Sequence, residues 1–173
     1  MFFELIGTLL AGVAAALLVW ALSRLLKGRL PSWLIPASAG VAMLAATISS
    51  EYGWYARTAA TLPERMIIAQ TVEESVFYRP WSYLKPYVSR FVAADPVAAR
   101  IHPDQPDRRM VDLLFFGRWS RTAQIPMLFD CAENLRADVT EAITFGEGGA
   151  VEGVRWRSVP ADDPVQAAAC TEL

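Results

Sequence analysis

Histidine occurs once in the 173 residues and cysteine twice, and these two scarcities remove most familiar chemistries. A Ser–His–Asp arrangement needs a base. The sole histidine, His102, sits beside Pro103 in a proline-rich stretch, where a solvated ring is the plainer expectation. Cys131 and Cys170 are too far apart for the CxxC redox spacing or a compact zinc pattern, and CxxCH, the c-type haem signature, is absent. No GxSxG elbow, P-loop or strand-following GxGxxG occurs. The carboxylate pairs Glu73-Glu74, Asp162-Asp163 and Asp104 with Asp107 fall at expected turns or caps, where such pairs are usually solvated. The sequence predicts no catalytic residue, no cofactor, no metal site and no enzyme.

A basic excess is missing as well. From Thr58 onward, 12 Lys and Arg stand against 16 Asp and Glu, a net charge of −4, and neutralising a phosphate backbone needs the opposite sign. Nucleic acid is not an expected partner. No solenoid-period repeat and no low-complexity tract appears.

The most informative absence is that of charge near the N-terminus. Leu5 to Ser23 is 19 residues without a charge and Leu30 to Ser50 is 21. At about 1.5 Å per residue, each stretch can cross a hydrocarbon core of about 30 Å. We read residues 1–57 as a transmembrane helical hairpin, with spans over about 5–23 and 31–51 and a connector at 24–30. A cleaved signal peptide fits poorly, because Met1-Phe2-Phe3-Glu4 has no basic residue and a second apolar stretch follows directly. A pair of core helices also fits poorly, since Trp33 on the connector side and Tyr52, Trp54 and Tyr55 on the other mark headgroup levels. Pro31 suits the first position of the second helix, and Pro36 lies one turn further in.

The connector holds Arg24, Lys27 and Arg29, whereas the other side has Glu4, Glu51 and Arg57. The positive-inside rule then makes the connector cytoplasmic, which puts both termini and residues 58–173 in the periplasm of a bacterial inner-membrane, two-pass protein. Each span carries small residues four apart: Thr8, Gly12 and Ala16 in the first, and Ser38, Ala42, Ala46 and Ser50 in the second. Such stripes let backbones approach closely in lipid. They either pack on each other or dock another membrane protein.

Residues 58–173 read as an α+β, mainly antiparallel β, soluble domain of about six strands, forming a sheet or small barrel. Strands are expected at Met66–Glu73, Tyr87–Ala94, Arg109–Ser120, Gln124–Asp130 and Ala137–Phe145. Gly146-Glu147-Gly148-Gly149 turns the last of these into a returning arm over Ala150–Val159. Asp95 to Arg108, with Pro96, Pro103 and Pro106, reads as a loop. Asp162 or Asp163 caps a short terminal helix with Pro164 early in it, running to Cys170.

Phe77 to Phe91 is the most unusual soluble stretch. Phe77, Tyr78, Arg79, Trp81, Tyr83 and Tyr87 crowd into it, punctuated by Pro80 and Pro86, which argue against a regular helix. These six residues form the candidate binding surface: packing for the core, a stacking platform for a ligand or partner protein, or rings resting on headgroups.

The two cysteines are, from spacing alone, either free thiols or a disulfide. An oxidising compartment favours the disulfide Cys131–Cys170. From Asp130-Cys131 onward, with Gly148-Gly149, Trp156, Val159 and the closing Val165-x-x-Ala168-Ala169-Cys170, the chain resembles the tail of small exported bacterial proteins of the surface-adhesin protein E type. Those share a cysteine, a β-hairpin, a Trp and a C-terminal helix ending in cysteine, so the resemblance also implies the disulfide. It covers only the tail, because those proteins lack a two-span hairpin. The whole layout is more similar to uncharacterised two-span inner-membrane proteins of proteobacteria. The function expected is a non-enzymatic accessory or scaffold component of an envelope complex, whose partners are the lipid bilayer and another inner-membrane or periplasmic protein. The alternative is a periplasmic ligand-binding or sensing module using residues 77–91.

Overall fold

A computed structural model describes residues 2–27, 29–140, 143–146 and 149–171. The chain divides into two compact units, Met1–Arg57 and Thr58–Leu173.

The first unit is built from α1 (Phe2–Leu25) and α2 (Leu34–Ala59). Both are long and apolar enough to cross a membrane: 24 and 26 residues make about 36 and 39 Å of helix. Their apolar side chains are not used as a protein core. Leu5, Leu9, Leu10, Val13, Leu17 and Leu18 are all exposed on α1. Lys27 closes α1 in the left-handed conformation, with φ at +53°. The second helix starts later and runs further than the expected 31–51. Pro31 lies in a turn before it, its carbonyl accepting from Leu34 N at 3.1 Å, and Pro36 falls in the first helical turn, where a missing N–H costs nothing.

Gly12 is buried where the helices meet. A Cβ there would lie 2.7 Å from Met43 Cγ and 3.5 Å from the Ala39 carbonyl. Thr8, Ala16, Ser38, Ala42, Ala46 and Ser50 are half-buried. Two hydroxyls bond locally, Thr8 Oγ1 to Glu4 O at 2.9 Å and Ser38 Oγ to Ile35 O at 2.8 Å, while Ser50 Oγ donates across the helix pair to Glu4 Oε1 at 3.0 Å. Each removes a polar group that lipid could not satisfy.

The second unit is a mainly antiparallel β half-barrel with a small helix. Its strands are β1 (Ile67–Glu74), β2 (Tyr87–Ala94), β3 (Arg100–His102), β4 (Gln105–Gly117), β5 (Ala123–Asp130), β6 (Leu135–Asp138), β7 (Thr144–Phe145), β8 (Val151–Glu152) and β9 (Arg157–Ser158). The helices are α3 (Trp81–Leu84) and α4 (Pro164–Cys170). The main sheet runs β1-β2-β4-β5-β6-β9, with β3 on β4, and β7 and β8 form a separate pair.

Two expectations are corrected. The proline-rich stretch 95–108 is not a loop throughout, since it holds β3 and the first residues of β4. Pro106 is tolerated because the β3–β4 register shifts beside it, between Ile101 and His102, so no ladder bond needs its nitrogen. Nor do the expected strands 137–145 and 150–159 form one hairpin. The chain turns at Thr140, whose carbonyl accepts from Ile143 N at 3.1 Å, and again at Gly153, with φ at +76°. β6 and β9 therefore stay in the main sheet while β7 and β8 pair apart. Glu141, Glu147 and Gly148 lie outside the described residues.

Period-two alternation places Ala94, Val111, Leu113, Met127 and Phe129 on one face of the sheet, where Val165, Ala168 and Ala169 of α4 cover them. Asp163 starts α4: its Oδ1 accepts from Val165 N at 3.0 Å and Gln166 N at 2.9 Å, with Pro164 next in line. Gln166 Nε2 then donates to Asp130 O at 2.9 Å, and Cys170 is bonded to Cys131, with Cα atoms 5.8 Å apart.

Asp130 anchors the turn that leads to this disulfide. Burial alone would raise its carboxyl, but Arg108 Nε at 2.9 Å and the backbone N–H groups of Glu133 and Ala132 outweigh burial and hold it below the ordinary carboxylate range. A depressed folded value contributes stability that is fully present above the unfolded value of about 3.9, and that is lost as pH falls through the folded value. In acid titrations of unfolding, Asp130→Asn should cost about 1–3 kcal/mol at pH 7 and flatten the loss of stability below about pH 4. An unchanged acid limb would contradict this.

Candidate interaction surface

The stretch between β1 and β2 is knotted by one residue the sequence did not single out. Ser82 is fully buried. Its Oγ accepts from Val76 N at 2.9 Å and lies 2.7 Å from the Arg79 carbonyl, and its own carbonyl accepts from Ser75 Oγ at 2.9 Å. Arg79 N donates to Val76 O at 3.0 Å, and Pro80 then opens α3. This is a short helix in a stretch expected to be irregular. It fits between the two prolines because Pro80 precedes its first residue and Pro86 follows Lys85, its last cap.

Tying the loop inward at Ser82 turns its apolar side chains outward. Phe77 is 83% exposed and Leu84 91%, with Tyr78 and Tyr83 exposed beside them. Phe77 and Tyr78 meet edge to face, their centroids 5.5 Å apart. The Arg79 guanidinium lies over two rings, 5.3 Å from Tyr78 and 5.5 Å from Tyr87.

Not all six sequence candidates lie at the surface. Tyr87 is buried and supports Arg79 from beneath, a correction that follows from its place on the buried row of β2 with Ser89, Phe91 and Ala93, on the face opposite Val92. Trp81 is half-buried, with Nε1 enclosed and lacking a hydrogen-bond partner among the described residues. Phe77, Tyr78 and Tyr83 remain as contact rings.

Sheet register adds a residue that sequence distance hides. Glu74 pairs with Tyr87 across β1–β2, and Arg90 pairs with Gly117 across β2–β4. The turn after β4 therefore lies at the same end of the sheet as the 75–86 loop, and Arg118 N donates to Ser89 O at 2.9 Å. Trp119 follows, 55% exposed, under the Arg118 guanidinium at 5.0 Å. Exposed Phe77, Tyr78, Tyr83, Leu84 and Trp119 thus share one end of the sheet with Arg79, Lys85, Arg118 and Arg121. Glu74 balances part of this charge: Arg90, at 3.0 Å, holds its carboxyl below the ordinary range. The rim is at the end of β1 opposite Ile67, where the linker from α2 enters the sheet.

The other sequence candidates disperse. His102 ends β3, with Nδ1 accepting from Asp104 N at 3.3 Å. Asp163 caps α4. Among the described residues, no three His, Cys, Asp or Glu side chains gather as a metal-binding group. Arg24, Lys27 and Arg29 are exposed at the α1–α2 connection. Comparison with protein-family models, curated proteins and solved structures finds no match.

Proposed function

We propose that the chain is a two-pass inner-membrane protein with both termini in the periplasm, and that it serves as a non-enzymatic accessory or scaffold component of an envelope complex. The observation that carries this reading is the preorganised rim. Aromatic and aliphatic side chains are held outward by a buried serine, and interfaces concentrate their binding energy in anchors of this kind. Orientation rests on Arg24, Lys27 and Arg29 in the connector. The absence of an enzymatic role rests on the sequence, which offers no nucleophile–base pair.

Purification of the full chain from its native membrane in mild detergent should recover a stoichiometric protein partner. Phe77→Ser with Leu84→Ser should reduce that recovery by about tenfold, because anchor truncations typically cost 1 kcal/mol or more each. Both positions are exposed, so circular dichroism and the disulfide should be unchanged. A stable monomer with no partner contradicts the reading.

A second reading, a periplasmic ligand-binding or sensing module on residues 77–91, is favoured by the stacking of Arg79 on Tyr78 and Tyr87. It predicts tryptophan quenching by a ligand that disappears on substituting Trp81 and Tyr83. Side chains as protruding as Phe77 and Leu84 suit a recess in a partner better than they enclose a small molecule, so the accessory role is the first choice.

A further inference from the structure

Helix α4 is too short for the face it covers. Seven residues of helix span about 10 Å, whereas an eight-residue strand such as β5 spans about 27 Å. Register shows what lies beyond it. Val92 pairs with Phe115, Leu113 with Ile125, Val111 with Met127, Met127 with Asp138, and Arg136 with Arg157. All of these side chains therefore share the face on which α4 sits. At the end past Val165 they line an open groove of about 250 Å³. Val92, Leu113, Phe115, Ile125, Met127 and Val165 line it with apolar surface.

Its mouth is ionic. Arg136 reaches Asp163 at 3.4 Å, and Arg157 pairs with Asp138. Asp138 and Arg157 also border the adjoining recess, which adds Arg155. Three guanidinium groups stand there against two carboxylates, in a domain that is acidic as a whole.

We propose that this groove binds an amphipathic anion with a single unbranched chain, of the fatty-acid class: the chain lies on the apolar floor and the anionic head meets Arg157 and Arg155. The groove is open and its volume is below the roughly 300 Å³ at which ordinary small-molecule sites begin, so it takes the head-proximal part of one chain and excludes a two-chain lipid. A charge-assisted bond to guanidinium selects the anion over a neutral head of equal length. The proposal is independent of the aromatic rim.

The test uses the full chain in nanodiscs of zwitterionic lipid, with a diazirine-bearing hexadecanoic acid as photoprobe and tryptic mapping of the label. Cleavage after Arg109, Arg118, Arg121 and Arg136 isolates residues 110–118 and 122–136, which carry the groove floor. Both peptides should be labelled. Ile125→Trp, at an exposed position that tolerates bulk, should fill the groove and cut that label by about fivefold, with labelling of α1 and α2 unchanged as the internal control. Arg157→Gln, outside the core, should cut it comparably. Unlabelled hexadecanoate should compete about tenfold better than hexadecanol. Label confined to α1 and α2, or no change in either variant, overturns the site. Equal competition by hexadecanol overturns the anionic head.

Discussion

Reducing the Cys131–Cys170 disulfide is expected to lower the stability of the β-domain by about 4 kcal/mol, the chain-entropy value for a loop of 39 residues. Measured as thermal unfolding of the full chain by near-ultraviolet circular dichroism, that is a fall of roughly 10–20 °C for a domain of this size. The double variant Cys131→Ser, Cys170→Ser should reproduce it without reductant. The effect is large because the disulfide fastens an element that has little stability of its own. A seven-residue helix does not form alone in water. Here α4 is held by the Asp163 cap, the Gln166 bond to Asp130 O, the three apolar contacts of Val165, Ala168 and Ala169, and the bond at its last residue. Removing the covalent link lets α4 leave as a unit, which uncovers Val111, Leu113 and Met127. A fall below about 1 kcal/mol would mean that α4 stays docked without its link, contrary to the loop-closure account.

Phe129→Ala is the second large effect, at about 3–5 kcal/mol. Phe129 is fully buried in the cluster shared by β4, β5 and α4, one residue before the Asp130 turn and two before Cys131. Truncation leaves a cavity that α4 can only partly fill, because its C-terminal end is pinned. Since Phe129 and the disulfide hold the same helix, their costs should not add. Denaturant unfolding of the combined variant should show a total smaller than the sum by 0.5 kcal/mol or more, a coupling typical of groups that share partners. Strict additivity would show that the two act on separate parts of the domain.

Much of this architecture could be read from residues. Charge-free runs of 19 and 21 residues announced two helices because a membrane imposes a length and forbids charge, and both constraints are local in sequence. β2 appeared where expected, Tyr87–Ala94, because Pro86 fixes its start and its apolar run ends at Asp95. The cap at Asp163 and the helix to Cys170 were legible for the same reason. What could not be read depended on register or on a side chain turned inward. Pro106 looked like a loop signal, and only the shifted β3–β4 pairing makes it acceptable in a strand. Tyr87 looked like a binding ring, and only its place on the buried row of β2 with Ser89, Phe91 and Ala93 encloses it. Ser82 has no distinguishing neighbour pattern, yet it sets the direction of the aromatic loop. Trp119 joins the rim through β2–β4 pairing across 30 or so residues of chain, on the order of the separations at which local signals vanish. The groove beyond Val165 is lined from seven elements, six strands and α4, and no single stretch announces it.

On the reading proposed above, the basic connector directs the β-domain outward from a membrane-anchored hairpin. Fusions after Leu173 test it most directly. An alkaline phosphatase fused there should be active in living cells, and a fluorescent protein that folds only in the cytoplasm should stay dark. Replacing Arg24, Lys27 and Arg29 of the connector with Glu should lower the phosphatase activity and brighten the fluorescent fusion, since these positive charges set the orientation. A bright cytoplasmic reporter and an inactive phosphatase on the unaltered chain would contradict the account, and would place Cys131 and Cys170 in a reducing compartment where their disulfide would not be expected.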